Sequence, residues 1–290
     1  MSSSNFNLLV GNCLNVLKTL PSESVQCCIT SPPYFQQRDY NHVEQLGLEE
    51  SPWDFLNNLN EVFKEVFRVL KNDGILWVNM GDSYSVSGKN GGVAQDKKWK
   101  QDSNKGSQIK PQLKIPEGLK RKELIGVPWR LAFKLQEFGW YLRTDIIWNK
   151  IAAMPESVAD RPSRCNEYIF MMTKSDTYFY NKEAVMNTNS SGEKVALRNV
   201  WSVNKSMGFN DGESHYATYP EDLIIPCLLS SSKEGDIVLD PFSGSGTTGV
   251  VSLKNGRKYL GIELNESYAK MSRSRLLEEE RKYNFSQGII

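Results

Sequence analysis

Thr30-Ser31-Pro32-Pro33-Tyr34 sets a hydroxyl, two prolines and an aromatic ring in succession, directly after the apolar run Val25 to Thr30. Each proline fixes φ and removes a backbone donor, so the carbonyl acceptors of this loop are rigidly aimed. Rigid acceptors beside a ring suit a flat heterocycle that carries an amino group. In an exposed linker the same residues would read as a polyproline kink or a ligand for a proline-binding domain. The buried-type strand in front of them makes that the minority reading.

Far down the chain, Asp240-Pro241-Phe242-Ser243-Gly244-Ser245-Gly246-Thr247-Thr248-Gly249 contains G-x-G-x-x-G, a tight turn between a strand and a helix. A lone pattern of this kind is also met as a structural turn, so its surroundings decide. Ile237 to Leu239 precedes it as a strand and Thr247 to Asn255 follows as a helix. Glu263 closes the next strand nineteen residues after Gly244, near the spacing at which an acid meets a ribose diol. Gly244 and Gly246 let backbone approach a ligand closely, and a Cβ at either would occupy ligand space. The helix N-terminus offers free N–H groups, and Thr247 and Thr248 add hydroxyls for an anion. A nicotinamide dinucleotide domain is excluded, because only 27 residues follow Glu263 and further βα units would have to fit there. No G-K-[ST] follows, which excludes a P-loop.

The elements that must carry these loops alternate in type. Leu8 to Val10 reads as a strand, Cys13 to Leu20 as a helix and Val25 to Thr30 as a buried strand. Pro52 to Leu70 has a helical apolar period with Ser51 as its N-cap, and Asn72-Asp73-Gly74 is expected to end it before the strand Ile75 to Met80. Pro128 to Phe138 reads as a helix closed by Gly139, and Tyr141 to Trp148 as a strand. Asn166 to Thr173 and Thr177 to Tyr180 are expected to pair as a hairpin. The chain then predicts a helix at Pro220 to Leu229, the strand and helix around the glycine turn, a strand at Tyr259 to Ile262, and a charged helix from Glu266 to Arg281. Such alternation predicts an α/β fold with a doubly wound, mostly parallel sheet. Ligands of these sheets lie at the carboxyl ends of the strands, where Ser31 and Asp240 would both stand.

Hydrophobic content of 39% and charge content of 24% suit a globular protein, and 290 residues allow one large α/β domain with an appended lobe, or two small domains. The longest nearly apolar run, Leu223 to Leu229, is far short of a membrane span, and no secretory signal is visible. The five cysteines make no C-x-x-C spacing, so a metal-free protein of the cytoplasm is expected. Net charge is only +1, yet Ser87 to Lys122 holds ten Lys/Arg, among them Lys97, Lys98 and Lys100, against three acids. That stretch reads either as a solvated loop or as an arm for phosphates that orders on DNA.

Together the two motifs resemble those of the amino-methyltransferases of DNA, which use S-adenosylmethionine to methylate an exocyclic base nitrogen. The catalytic motif here comes before the cofactor motif, which resembles the circularly permuted (beta) class of that family. The resemblance implies a Rossmann-like methyltransferase sheet in permuted motif order with an inserted target-recognition region. It assigns catalysis to Ser31, Pro32, Pro33 and Tyr34, with Ser31 and the Pro32 carbonyl accepting from the amine and Tyr34 stacking on the base. It assigns the cofactor to Asp240, Phe242, Gly244, Ser245, Gly246, Thr247, Thr248 and Glu263. Gly11-Asn12-Cys13-Leu14 resembles a Gly-Asp-Cys-Leu segment whose acid contacts the cofactor's adenine amine; Asn12 keeps an acceptor but not the charge. His215-Tyr216-Ala217-Thr218-Tyr219-Pro220-Glu221 resembles the segment whose helix helps close the cofactor pocket.

A base in a duplex cannot reach such a loop, so it must be flipped out. Serine before Pro-Pro accompanies cytosine N4 in this family, and Asp or Asn accompanies adenine, so cytosine N4 is the expected target and adenine N6 the alternative. An idle DNA- or cofactor-binding module is the reading from another class, and the intact motifs argue against it. The implied division is a catalytic half (1–82), a basic loop (83–122), a return of the core sheet (123–150), a target-recognition region (151–213) and a cofactor half (214–290). Arg161, Arg164 and Arg198 in the fourth segment are candidates for DNA contact, although each equally suits a surface ion pair. The implied partners are DNA and a restriction endonuclease acting on the same site.

Overall fold

Val25–Thr30 is buried at every position, as a strand covered on both faces must be. The computed structural model, which describes residues 4–40, 42–85, 115–151, 153, 156, 158–204 and 219–286, places this strand near the middle of one large sheet. The first half of the chain runs β1 (Phe6–Val10), α1 (Cys13–Thr19), β2 (Val25–Thr30), α2 (Pro52–Val69), β3 (Leu70–Met80) and α3 (Val127–Phe138). There follow β4 (Tyr141–Lys150), β5 (Asn166–Thr173), the short pair β6 (Asn187–Thr188) and β7 (Lys194–Val195), and β8 (Val200–Val203). The last part is α4 (Glu221–Ser231), β9 (Ile237–Asp240), α5 (Thr247–Lys254), β10 (Lys258–Glu263) and α6 (Glu266–Ser286).

Eight strands form the sheet in the order β1-β10-β9-β2-β3-β5-β4-β8. All neighbours are parallel except at β5, which is antiparallel to both β3 and β4. Period-two alternation sorts the side chains between two cores. Cys28, Leu76, Val78 and Met80 face a core shared with α2 and α3, while Cys27, Ile29, Ile75 and Trp77 face one shared with α4. The helix α5 packs with α6 on Tyr259 of β10. The sheet is thus covered on both faces, the doubly wound arrangement that strand–helix alternation predicts.

Helix starts follow local chemistry. Ser51 Oγ accepts from Trp53 N at 3.1 Å with Pro52 in the first helical position of α2. Asp82 Oδ1, just beyond β3, accepts from Gly126 N and Val127 N and so caps α3 from a distant loop.

Two expectations need correction. Asn72-Asp73-Gly74 does not end α2; the helix ends at Val69, and these residues lie inside β3, in a bulge that pairs Val25 with Leu70 and Cys27 with Ile75. The bulge requires Gly74, since a Cβ there would lie 2.7 Å from Gln26 O. Asn166–Thr173 is not half of a hairpin with Thr177 to Tyr180; it inserts between β3 and β4, and Phe179 N bonds Asp73 O instead. The stretch 151–213, expected as a target-recognition region, supplies both β5 and β8 to the central sheet.

Candidate active site

β2 and β9 are hydrogen-bonded neighbours, so Thr30 and Asp240 end side by side at the carboxyl edge of the sheet. Thr30 Oγ1 donates to Asp240 Oδ1 at 2.7 Å. Asp240 is 1% exposed, and its other partners are Phe242 N at 3.0 Å, Thr248 Oγ1 at 2.9 Å and Tyr219 OH at 3.1 Å. Burial raises its carboxyl above the ordinary value, and these donors oppose the rise. Asp240 and Thr248 were expected to touch a ligand, but both are spent on each other and on the backbone inside the fold. Thr248 also bonds Tyr219 OH and Ile29 O. Gly246 is likewise a packing glycine: it adopts φ 82°, and a Cβ there would lie 2.3 Å from Ser272 Oγ of α6. None of the three lines the cavity.

That cavity, about 600 Å³, opens over the strand ends. Phe242, Gly244, Ser245, Thr247 and Glu263 line one part of it. Gly244 has φ 52° with nothing closer to an added Cβ than Phe242 O at 3.9 Å, so its open side is the one that leaves room for a ligand. Glu263 Oε2 accepts from Gly244 N at 2.7 Å and Oε1 from Asn265 N at 2.8 Å. Burial raises its carboxyl above the usual range, with the two backbone donors opposing. Asn12 lines the same part, but its Oδ1 caps α1 through Leu14 N at 3.0 Å and Asn15 N at 3.3 Å. The acceptor role expected of Asn12 is already taken by that helix. Cys13 beside it is no thiolate nucleophile, since burial pushes its thiol up to about 12.

Ser31, Pro32, Pro33 and Tyr34 line the other part. Ser31 Oγ donates to Tyr34 OH at 3.4 Å, and Tyr34 OH donates to Glu167 Oε2 at 2.6 Å. Asn79 Nδ2 reaches Tyr34 OH at 2.8 Å and Glu167 Oε2 at 2.9 Å, while Lys150 Nζ pairs with Glu167 Oε1. Burial and the Glu167 carboxylate push the Tyr34 phenol well above its ordinary value, which keeps it a neutral donor. The ring also packs on Gly81, where a Cβ would lie 2.6 Å from Tyr34 Cε2. Asn79, Lys150 and Glu167 were given no role from the sequence. Asn79 ends β3 and Lys150 ends β4, whereas Glu167 begins the antiparallel β5, so all three meet at one sheet edge.

Residues 25–274 match the family model described as DNA methylase, for the N6 and N4 amino-methyltransferases. The chain belongs to this DNA methylase family. It is 52% identical to the type II methyltransferase M.Cfr9I of Citrobacter freundii, across 94% of this chain and 88% of that one. It is 45% identical to M.SmaI of Serratia marcescens, across 93% and 90%. Among solved structures, PvuII DNA methyltransferase (cytosine-N4-specific) superposes with a TM-score of 0.69 at 19% identity, covering 97% of this chain and 93% of that one. A proposed DNA modification methylase of Thermus thermophilus, solved with S-adenosyl-L-methionine, gives 0.62 at 25% identity, covering 94% and 95%.

The cavity of this DNA methyltransferase fits a cofactor of the nucleoside type. The carboxylate of Glu263 suits a diol, the open face of Gly244 admits close contact, and Phe242 supplies an apolar wall. The loop after Ser31 closes the site from the other side: Tyr40 packs edge-on to Tyr268 with ring centroids 6.2 Å apart, and Asn265 Nδ2 donates to Tyr40 O. No sequence motif marked Tyr40 or Tyr268; only their aromatic character beside a glycine turn could have done so.

The residues expected to hold DNA are placed differently. Arg161 Nη1 pairs with Glu156 Oε2 at 2.5 Å, with its guanidinium 4.0 Å from the centroid of the Tyr84 ring. Arg164 Nη1 lies 3.4 Å from Asp82 Oδ2, and its backbone N–H also goes to Glu156. Both are therefore in the ion pairs that the sequence left open as their alternative. Arg198 is exposed at the far edge by β8, where its carbonyl accepts from Trp201 Nε1 at 2.7 Å. Lys97, Lys98, Lys100 and His215 lie outside the described residues. Among the described residues no helix is long and apolar enough to cross a membrane, and no group of three His, Cys, Asp or Glu could hold a metal ion.

Proposed function

We propose that this chain transfers a methyl group from S-adenosylmethionine to the exocyclic N4 of a cytosine flipped out of DNA. The observation that carries the reading is the single cavity shared by the Ser31–Tyr34 loop and the Gly244–Glu263 wall. Bound S-adenosylmethionine supplies an electrophilic methyl group. Everything else is binding and orientation by the chain itself.

An exocyclic amine is conjugated with its ring and is a poor nucleophile. Ser31 Oγ, which gives its own proton to Tyr34 OH, keeps lone pairs for one amine N–H, and the Pro32 carbonyl takes the other. Accepting both favours a pyramidal nitrogen whose lone pair faces the methyl group. Tyr34, held by Glu167 and Asn79, stacks on the base. Acceleration then comes from positioning and electrostatics, without a covalent intermediate. Glu263 binds the cofactor ribose, and Phe242, Gly244, Ser245 and Thr247 wrap its remaining parts.

Cytosine rests on Ser31 standing before Pro-Pro. The order of the two loops along the chain supports the permuted class of the family. The type II relatives support a modification enzyme whose partner is an endonuclease acting on the same site. Nucleoside mass spectrometry of DNA from cells expressing the protein tests the reading. 4-methylcytosine is expected; 6-methyladenine alone would replace cytosine by adenine, and no methylated base would refute methyl transfer to DNA.

A further inference from the structure

Lys150 is a cation at the cavity wall with incomplete coordination. Its side chain is 16% exposed, pairs with Glu167 Oε1, and lies with Nζ 4.6 Å from the centroid of the Trp148 ring. An ammonium has three N–H donors. The carboxylate takes one and the indole face attracts another, and no further acceptor is bonded to it among the described residues. Glu167, in contrast, has a donor on each oxygen, with Lys150 on one and both Tyr34 OH and Asn79 Nδ2 on the other.

The pair is not needed to join the strands. The Lys150 backbone N–H already bonds Cys165 O at 2.8 Å, and β4 and β5 are in register from Thr144 to Asn149. Desolvating two charges is costly, and well-packed apolar residues often serve stability as well. The pair stands instead on the wall that holds Ser31, with Asn79 Nδ2 bridging Ser31 Oγ at 3.5 Å and Glu167 Oε2 at 2.9 Å.

We propose that Lys150 is a specificity-determining residue that donates to the ring nitrogen next to the amino-bearing carbon of the target base, and that Glu167 is its positioning residue. The inference rests on the methyl-transfer reading above. In both cytosine and adenine the ring atom beside that carbon is an unprotonated acceptor nitrogen, so amine and ring nitrogen form one donor–acceptor edge. Ser31 meets the donor and Lys150 meets the acceptor. The Glu167 carboxylate offsets the ammonium charge, so the contact orients the base without drawing much electron density from the reacting amine. Because the edge is common to cytosine and adenine, this wall recognises an aminated base and leaves the choice between the two to pocket shape.

The test uses the full-length protein and a duplex oligonucleotide carrying its mapped methylation site. The target base is left intact or replaced by 3-deazacytosine (1-deazaadenine where mapping finds adenine), which removes only that ring acceptor. Wild type and Lys150→Met are compared by kcat/KM. Lys150→Met should lose about ten- to hundred-fold on the intact base, as expected for a hydrogen bond to a charged group. On the deaza base the variant should match wild type, because the partner is already gone. If Lys150→Met fails to fold, the neutral pair Lys150→Met with Glu167→Gln gives the same comparison. Equal fold-loss by variant and wild type on deaza replacement would overturn the proposal. Absence of transfer by wild type to intact DNA would overturn the methyl-transfer reading, and this proposal with it.

Discussion

Thr30 and Asp240, 210 residues apart in sequence, are joined by a 2.7 Å hydrogen bond that ties the end of the strand before Ser31 to the end of the strand before the glycine turn. The bond sets the distance between the two halves of the site. Asp240 also holds Phe242 N, Thr248 and Tyr219, so one buried carboxylate fixes three separate segments around the cavity.

Asp240→Ala should therefore act on stability rather than on a single ligand contact. It strands several buried donors, each costing about 1–3 kcal/mol when left unpaired, partly relieved by water. A loss of about 2–4 kcal/mol in urea denaturation is expected, with cofactor affinity and transfer rate falling together. A variant of unchanged stability would show that the network is not what holds the two loops.

Glu263 behaves differently because its carboxylate faces the cavity. Glu263→Ala should weaken S-adenosylmethionine binding roughly ten-fold or more while the protein stays folded. Burial raises the Glu263 carboxyl, so its folded value lies above its unfolded one. The sign follows: the folded state takes up this proton more readily, so the contribution to stability is fully present below the unfolded value and is lost as pH rises through the folded one. Cofactor affinity runs the other way, falling on acidification as the carboxylate protonates, with a midpoint above the ordinary glutamate value. Calorimetry against pH checks this, and Glu263→Gln should flatten the curve; an equally steep curve in that variant would assign the titration to another group.

Much of this site is legible in the sequence where a local signal exists. The apolar run before Ser31, the glycines of the turn and the spacing to Glu263 all report on short segments, and the structure brings Ser31, Gly244 and Glu263 to one cavity. What the sequence hides is partnership. Asp240 and Thr248 have the residue types of ligand contacts, but only the packed structure shows their oxygens facing each other. Asn79, Lys150 and Glu167 come from three strands. Glu167 reaches the site only because β5 runs against its neighbours, which hairpin logic had placed elsewhere. Asn72-Asp73-Gly74 misled for a related reason: turn chemistry also serves a bulge inside a strand.

In the proposed reaction Tyr34 combines a ring for the base with a phenol tied to Glu167, and two substitutions separate them. Tyr34→Ala should lower transfer by roughly ten- to hundred-fold, since base–aromatic stacking is worth about 1–3 kcal/mol. Cofactor affinity should change far less. Tyr34→Phe keeps the ring and should retain most of the base affinity while losing the bond to the carboxylate. Equal loss of cofactor and DNA binding in Tyr34→Ala would reduce the ring to a packing element on Gly81.

The grip on DNA is the remaining quantity, and charge arithmetic sets an expectation for it. The chain as a whole carries +1, but Ser87 to Lys122 carries ten basic residues against three acids. Arg161 and Arg164 are already neutralised by Glu156 and Asp82, which leaves less of their charge for phosphates. If about four side chains of the basic stretch contact phosphates, log affinity against log salt should slope near −0.9 per contact, roughly −3.6 in all. Replacing Lys97, Lys98 and Lys100 with Gln should flatten that slope and weaken binding to every sequence alike, because phosphate contacts carry little base information. Replacing Arg161 and Arg164 with Gln should change the slope much less, since DNA would first have to displace their carboxylate partners. A slope that follows the arginines and ignores the lysines would move the phosphate grip from the basic stretch to Arg161 and Arg164.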